Sequence, residues 1–109
     1  RERWQSLPKR VRHLPVPSRV ILSNRISSTH TVIEVNGRDM PGLLHRLTRT
    51  LAELGLQIQT ATVSTYGERV VDVFYVKDLF GLQVHNEARL TTIRDRLLEV
   101  FDQVGEAAE

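Results

Sequence analysis

The feature that most constrains the fold is a proline–glycine turn that separates two different hydrophobic periods. Before it, residues 31–36 form an alternating apolar run, as in a strand with one buried face. After it, four leucines recur at helical spacing, and Gly55 ends the run as a helix C-cap glycine does. Pro41 suits the first turn of this helix, and Asp39 can cap its free amides. We therefore expect a strand-to-helix turn with exposed backbone donors over residues 36–44.

The other periods predict four strands and two helices in all. Residues 19–26 are rich in β-forming side chains and precede a short polar turn, so they form a hairpin with the strand at 31–36. The run 56–66 changes parity partway. Either a β-bulge near Gln59 and Thr60 or burial of both faces would reconcile this pattern.

The strand at 68–77 is apolar on both sides, and both of its faces are expected to be covered. The exception is Asp72, which we interpret as a structural hydrogen-bonding residue. Asn86 can cap a second helix with apolar side chains on one face, and residues 106–109 are expected to be a frayed tail.

The element order β-β-α-β-β-α predicts an α+β fold, a permuted ferredoxin-like sandwich. No strand follows the second helix, so the extra strand at the front takes the place beside residues 31–36. The result is a four-stranded antiparallel sheet with both helices on one face. We expect the other face to be used for dimerisation or for docking on a parent protein.

Composition indicates one small domain. The 109 residues include no cysteine, so disulfides and thiolate chemistry are excluded. No apolar run approaches the ~20 residues of a membrane helix, and we expect a cytoplasmic protein.

Residues 1–25 hold seven basic side chains and one acidic side chain, whereas the remainder holds eight basic and twelve acidic side chains. The first stretch, 1–18, also carries three prolines and is interpreted as an interdomain linker of a longer protein, with the domain at 19–109.

Catalytic motifs are missing from the sequence. The four histidines are scattered, and no HExxH, GxSxG, GxGxxG or GxxxxGK[ST] pattern occurs, so a metal hydrolase or nucleotide-binding enzyme is not indicated. An RNA-binding sandwich would need aromatic side chains together on its two central strands. Phe74 and Tyr75 are adjacent and point to opposite faces, so nucleic-acid binding is a low-ranking alternative.

Two runs of sequence carry a family resemblance. Residues 31–44, TVIEVNGRDMPGLL, and residues 65–81, TYGERVVDVFYVKDLFG, strongly resemble ACT domains. More narrowly, they are similar to the last ACT domain of the bifunctional uridylyltransferase/uridylyl-removing enzymes that act on the PII nitrogen signal protein. The first run marks ACT domains in general, and the second is much more specific.

The resemblance implies a regulatory module with glutamine as its effector. Catalysis would belong to other domains of a Mg-dependent parent enzyme, and this chain would hold no cofactor of its own. ACT domains commonly bind amino acids at an interface between two such domains, so a second ACT domain is the implied partner. Met40 stands where arginine is commonest in the family. The ligand-binding residues implied on this sequence are Asn36, Asp39, Met40, Pro41, Gly42, Leu43, Leu44, Gln57, Ile58 and Gln59.

Elementary chemistry agrees with this assignment. Backbone amides at a helix start can hold the carboxylate of the effector, and Asp39 can hold its ammonium group. A polar side chain can bind the side-chain amide of glutamine. An ACT-like dimerisation scaffold without its own ligand is the alternative, because tandem ACT domains often divide these roles. Gln57 and Gln59 could equally be solvated residues of an edge strand.

Overall fold

A computed structural model describes residues 16–108. Four strands and two helices follow one another in the predicted order. They are β1 (Arg19–Ser23), β2 (Thr31–Arg38), α1 (Leu43–Glu53), β3 (Gln57–Tyr66), β4 (Arg69–Lys77) and α2 (Glu87–Ala108). The interpretation of residues 1–15 as part of a linker lies outside the described residues.

The four strands form one antiparallel sheet in the order β1-β2-β4-β3. β1 pairs with β2, so that Val20 lies opposite Val35, and it takes the edge position expected for a front strand. The predicted α+β sandwich with permuted strands is therefore confirmed. β3 forms the other edge.

The core lies between the sheet and the two helices. Alternate side chains of β2 and β4 point to the helices and are buried, which is why both strands show a period of two. The helices contribute apolar side chains at spacings of three and four residues. The largest fully buried apolar side chains are Phe74, Ile33, Leu47, Leu51, Ile93, Leu97, Val35, Val76 and Val100.

The start of α1 differs from the prediction. Pro41 precedes the helix, and Leu43 N donates to Met40 O at 3.1 Å, so residues 40–43 form a β-turn. Gly42, with φ 80° and ψ 0°, has the geometry of the third residue of a type II turn, which favours glycine because of its positive φ. No side chain caps the helix, so the expected cap by Asp39 is wrong.

The other helix ends follow local rules more closely. Gly55 N donates to Ala52 O and Leu56 N to Leu51 O, both at 3.0 Å, which is a Schellman ending around Gly55 as predicted. Asn86 Oδ1 accepts from Arg89 N at 2.8 Å and caps α2, also as predicted. Of the expected frayed tail at 106–109, residues 106–108 continue α2, and residue 109 lies outside the described part of the chain.

β3 contains the predicted bulge. Its register with β4 shifts between Ile58 and Thr60, so Ile58, Ala61 and Val63 all point to the helix face. Burial of both strand faces, the alternative, is wrong, because most residues of β3 are exposed.

On β4 the side chains that face away from the helices are half-buried in this single chain. In the described part of the chain, no helix is both long and apolar enough to cross a membrane.

Candidate functional site

The turn between β2 and α1 is fixed to the neighbouring β3–β4 turn. Asp39 N donates to Glu68 O at 2.7 Å, and Arg38 Nη1 lies 3.4 Å from Glu68 Oε1. Arg38 also pairs across the sheet with Arg69, where β4 begins. The start of α1 therefore sits at one end of the sheet, above the first residues of β4.

The first group of predicted site residues divides into three kinds. Asp39, Pro41, Gly42 and Leu44 are exposed in or beside the turn. Leu43 and Met40 pack into or against the core, so their first role is structural. Asn36 lies on the sheet face away from the helices, and its Nδ2 donates to Glu34 Oε2 at 2.8 Å.

The second group lies at the other end of the sheet. Gln57 Nε2 donates to Asp78 O at 2.9 Å, Ile58 packs against the core, and Gln59 is exposed at the bulge. Ile58 pairs with Val76, whereas the turn before α1 lies beside Arg69. Along β4 this is a separation of roughly 23 Å, at ~3.3 Å per strand residue. One chain does not bring the two groups together.

Asp72 is a buried acid that was not among the predicted site residues. Its side chain points to the helix face of β4, between Val35 of β2 and Val63 of β3, and the residue is 1% exposed. Asp72 Oδ1 has no hydrogen-bond partner, so the expected structural hydrogen-bonding role is wrong for this oxygen. Desolvation by burial, together with the nearby charge of Asp39, raises the pKa of Asp72 from 3.8 to about 6.

The helix layer does not cover the whole of β3. Ala61, Val63 and Thr65 lie on the helix face but are exposed, Val63 by 48%. Leu44 on α1 is exposed as well. An open apolar margin therefore runs along β3 beside the start of α1, and we call Ala61, Val63, Thr65 and Leu44 the β3 margin.

A rigid loop presents apolar side chains at the opposite end of β3. Asp78 Oδ1 accepts from Phe80 N at 2.8 Å and from Leu82 N at 3.0 Å, and Asp78 N donates to Leu82 O at 2.8 Å. Leu79, Phe80 and Leu82 are nevertheless exposed, Phe80 by 88%. A loop held by three hydrogen bonds has a defined surface, and we call residues 79–82 the apolar loop.

The described histidines show no catalytic arrangement. His30 Nδ1 lies 2.8 Å from Thr29 Oγ1 and its ring meets the edge of Tyr75, whereas His45 and His85 are exposed. Among residues 16–108 no three His, Cys, Asp or Glu side chains are placed to hold a metal ion. His13 lies outside the described residues.

Comparisons with known proteins agree with this geometry. The family model for the ACR family N-terminal ACT domain matches residues 26–103. The bifunctional uridylyltransferase/uridylyl-removing enzyme of Rhodospirillum rubrum is 59% identical over 97 residues, which are 89% of this chain and 10% of that relative. The enzyme of the same name from Azospirillum brasilense is 62% identical over 92 residues, 84% of this chain and 10% of the relative.

The chain thus spans about a tenth of the length of the curated relatives it matches. No solved structure matches it. The resemblance to these enzymes is confirmed, while a position as the last ACT domain of a parent stays a prediction. Because the family model covers most of the chain and the strand order agrees with it, this chain belongs to the ACT domain family.

Proposed function

We propose that this chain is the glutamine-sensing module of a uridylyltransferase/uridylyl-removing enzyme that acts on the PII signal protein, with catalysis in other domains of the parent. The observation that carries the proposal is the combination of an uncapped helix start with two carboxylates beside it, Asp39 and Asp72. An α-amino acid presents one carboxylate and one ammonium group. The free amides at a helix start attract the carboxylate, and the aspartates attract the ammonium group.

The effector amide needs a further polar partner, for which Gln57 and Gln59 are the candidates. They lie at the far end of the sheet from the turn before α1, so a second ACT domain has to supply them. β3 is an edge strand with free backbone groups on one side. If two copies of β3 pair antiparallel, the beginning of one strand lies beside the end of the other. Gln57 and Gln59 of one copy then approach the helix start of its partner.

The exposed apolar side chains support the same arrangement. The apolar loop adjoins the start of β3, because Leu79 packs near Gly55 and the Asp78 carbonyl accepts from Gln57. The β3 margin lies toward the other end of the strand. A twofold axis through the middle of β3 therefore places the apolar loop of each copy over the β3 margin of its partner. Such self-complementarity is what a twofold interface requires.

Regulation of the parent would follow from differential binding. Glutamine shifts an equilibrium between two arrangements of ACT domains only if it binds one of them better. A hundredfold difference in affinity corresponds to about 2.7 kcal/mol, which lies within the usual range of allosteric coupling. The parent's two activities would respond oppositely to that shift.

A scaffold role without a ligand is the second candidate function. The exposed apolar loop and the free edge of β3 favour it, because both serve pairing even where no effector binds. The two candidates differ in what glutamine does to the chain. A scaffold pairs equally well with and without it.

Calorimetric titration with glutamine tests the proposal, with glutamate and serine as controls. We expect selective binding by the chain at concentrations where it pairs, or by a longer piece that includes the preceding ACT domain. Asp39→Asn should weaken binding, while Asp102→Asn, a change at an exposed residue of α2, should leave it unchanged. No heat of binding in either piece would overturn glutamine sensing and favour the scaffold.

A further inference from the structure

We propose that Asp72 is the buried anion that holds the primary ammonium group of the effector, together with Asp39. The inference rests on the proposed function and adds a residue from the centre of the sheet to the site. It accounts for a feature that packing leaves unexplained, namely an acid in the core with one carboxylate oxygen that has no hydrogen-bond partner.

A network of hydrogen bonds satisfies polar side chains between the β1–β2 connection and residues 83–84. Thr31 Oγ1 donates to Asn24 Oδ1 at 2.6 Å and accepts from Val84 N at 2.8 Å. Asn24 Nδ2 in turn donates to Val84 O at 2.7 Å, and Gln83 Nε2 donates to nearby carbonyls of the β1–β2 connection. Among the described residues, Asp72 Oδ1 and His30 Nε2 are the buried side-chain atoms left without a partner. The carboxylate oxygen is the costlier of the two atoms to leave without a partner, because its group can carry a charge.

Asp72 lies where an effector bound at the helix start would reach it. α1 follows the turn beside Arg69 and returns over the sheet, and its 11 residues span about 16 Å at ~1.5 Å each. Its first turn therefore begins at the end of the sheet where β4 starts, and the charge of Asp39, just before that turn, acts on Asp72. Beside Asp72 on the same face, Val63 is exposed in the single chain, so an effector can approach along the β3 margin before a partner covers it.

The charges around Asp72 select a cation as ligand. Val35 and Val63 flank it on the sheet, and the helix side chains packed over this face, such as Leu43 and Leu47, are apolar. Burial opposes the ionisation of Asp72, and the nearby negative charge of Asp39 adds to this effect. A cation held by both carboxylates offsets the desolvation of Asp72 and the repulsion between the two negative charges.

A primary ammonium group fits this place better than a metal ion does. It offers three hydrogen-bond donors, enough for both carboxylates and a further acceptor. In the described part of the chain no third acid or histidine joins the pair to complete a metal site. In an α-amino acid the same carbon bears the ammonium and the carboxylate, so an ammonium held here leaves the carboxylate close by, for the helix amides to bind. The site would therefore select α-amino acids over amides or acids without the amino group.

The test is calorimetric titration of the wild-type chain, Asp72→Asn and the control Asp102→Asn with L-glutamine at pH 7.5 and pH 5. Glutaramic acid, which is glutamine without its amino group, is the second probe. We expect wild type and Asp102→Asn to bind glutamine about tenfold more weakly at pH 5, since a carboxylate with a pKa of about 6 is about one-tenth ionised there. Asp72→Asn should bind at least about tenfold more weakly at pH 7.5 and show little pH dependence.

Stability of the free chain supplies a readout that does not need the ligand. If Asp72 has a structural role, Asp72→Asn should be less stable than wild type. If Asp72 is an anion kept for a ligand, the ligand-free variant should be more stable than wild type at pH 7.5. Glutamine binding that is equal in wild type and Asp72→Asn would overturn this inference and leave glutamine sensing intact. If a different amino acid binds and its binding depends on Asp72, only the choice of glutamine as effector is overturned. Binding of glutaramic acid as tightly as glutamine would also overturn the ammonium assignment.

Discussion

The ring of Phe101 fills the space that a side chain would need at Gly37. A Cβ atom placed on Gly37 would lie 2.7 Å from Phe101 Cζ and 2.9 Å from Cδ1, and closer still to Cε1. Phe101 is itself buried on α2, and Gly37 lies in β2 just before the turn that leads to the candidate site. This contact allows α2 to pack directly on the backbone of β2.

Gly37→Ala should therefore destabilise the chain. Overpacking typically costs about 1 to 3 kcal/mol, so we expect a lower midpoint in urea unfolding with an unchanged slope. Adding Phe101→Leu to Gly37→Ala should recover part of the loss, because the smaller side chain leaves room for Cβ. Equal stability of Gly37→Ala and wild type would contradict this packing.

Asn86→Ala should destabilise α2 by about 1 kcal/mol, because it removes the acceptor for Arg89 N. Asn86→Asp keeps an oxygen in that place and adds a favourable charge at the helix start, so it should retain wild-type stability. Thermal unfolding followed by circular dichroism compares the three chains. A loss of the same size in both variants would show that the cap is not responsible.

The pKa of Asp72 gives stability a defined pH dependence. Because this pKa is raised to about 6, the folded chain holds a proton between pH 4 and 6 that the unfolded chain has released. The contribution of this group is thus fully present below pH 3.8 and is lost as pH rises through 6. The loss is about 3 kcal/mol at ~1.4 kcal/mol per pKa unit.

Subtracting the unfolding free energies of wild type and Asp72→Asn isolates this effect from other groups. We expect the difference to grow in favour of Asp72→Asn between pH 4 and pH 6 and to stay constant above pH 7. Urea unfolding at half-unit pH intervals measures it. A difference that does not change with pH would contradict the raised pKa, because it would mean that Asp72 has the same pKa in the folded and the unfolded chain.

Phe80→Asn should weaken pairing of the chain without destabilising the fold. Phe80 is 88% exposed, so its removal costs the single chain little, while loss of an aromatic anchor from an interface raises the dissociation constant about tenfold or more. Ile26→Asn is the matched control, because Ile26 is also exposed but lies after β1 at the other edge of the sheet. Sedimentation equilibrium that changes equally in both variants, or in neither, would argue against the twofold arrangement.

Sequence patterns predicted most of the fold because each element carries a local signal. The alternation in β2, the leucine spacing in α1 and the cap at Asn86 need no knowledge of distant residues. Even the bulge between Ile58 and Thr60 follows from a change of parity within one strand. The start of α1 was missed because proline and glycine favour both a first helical turn and a type II turn.

The candidate site was predicted less completely. The turn 39–44 has a local signature, but the separation between it and Gln57 depends on strand register, which joins residues far apart in sequence. Asp72 lies in an apolar run, and an acid at such a position is typical of a core residue whose hydrogen bonds are satisfied. Its unpartnered oxygen becomes visible only when its neighbours are known. The signal available was a single charged residue within the run 70–76, which otherwise presents apolar or aromatic side chains on both faces.

The strand order also determines how the domain can be connected. The chain enters the sheet through β1, at one edge, and β3 occupies the other edge, about 14 Å away at ~4.8 Å per strand. A neighbour attached covalently ahead of β1 therefore leaves the pairing edge unobstructed. The domain can thus be attached to a preceding neighbour at one edge of the sheet and paired with a partner at the other, with the four strands as a continuous connection between the two.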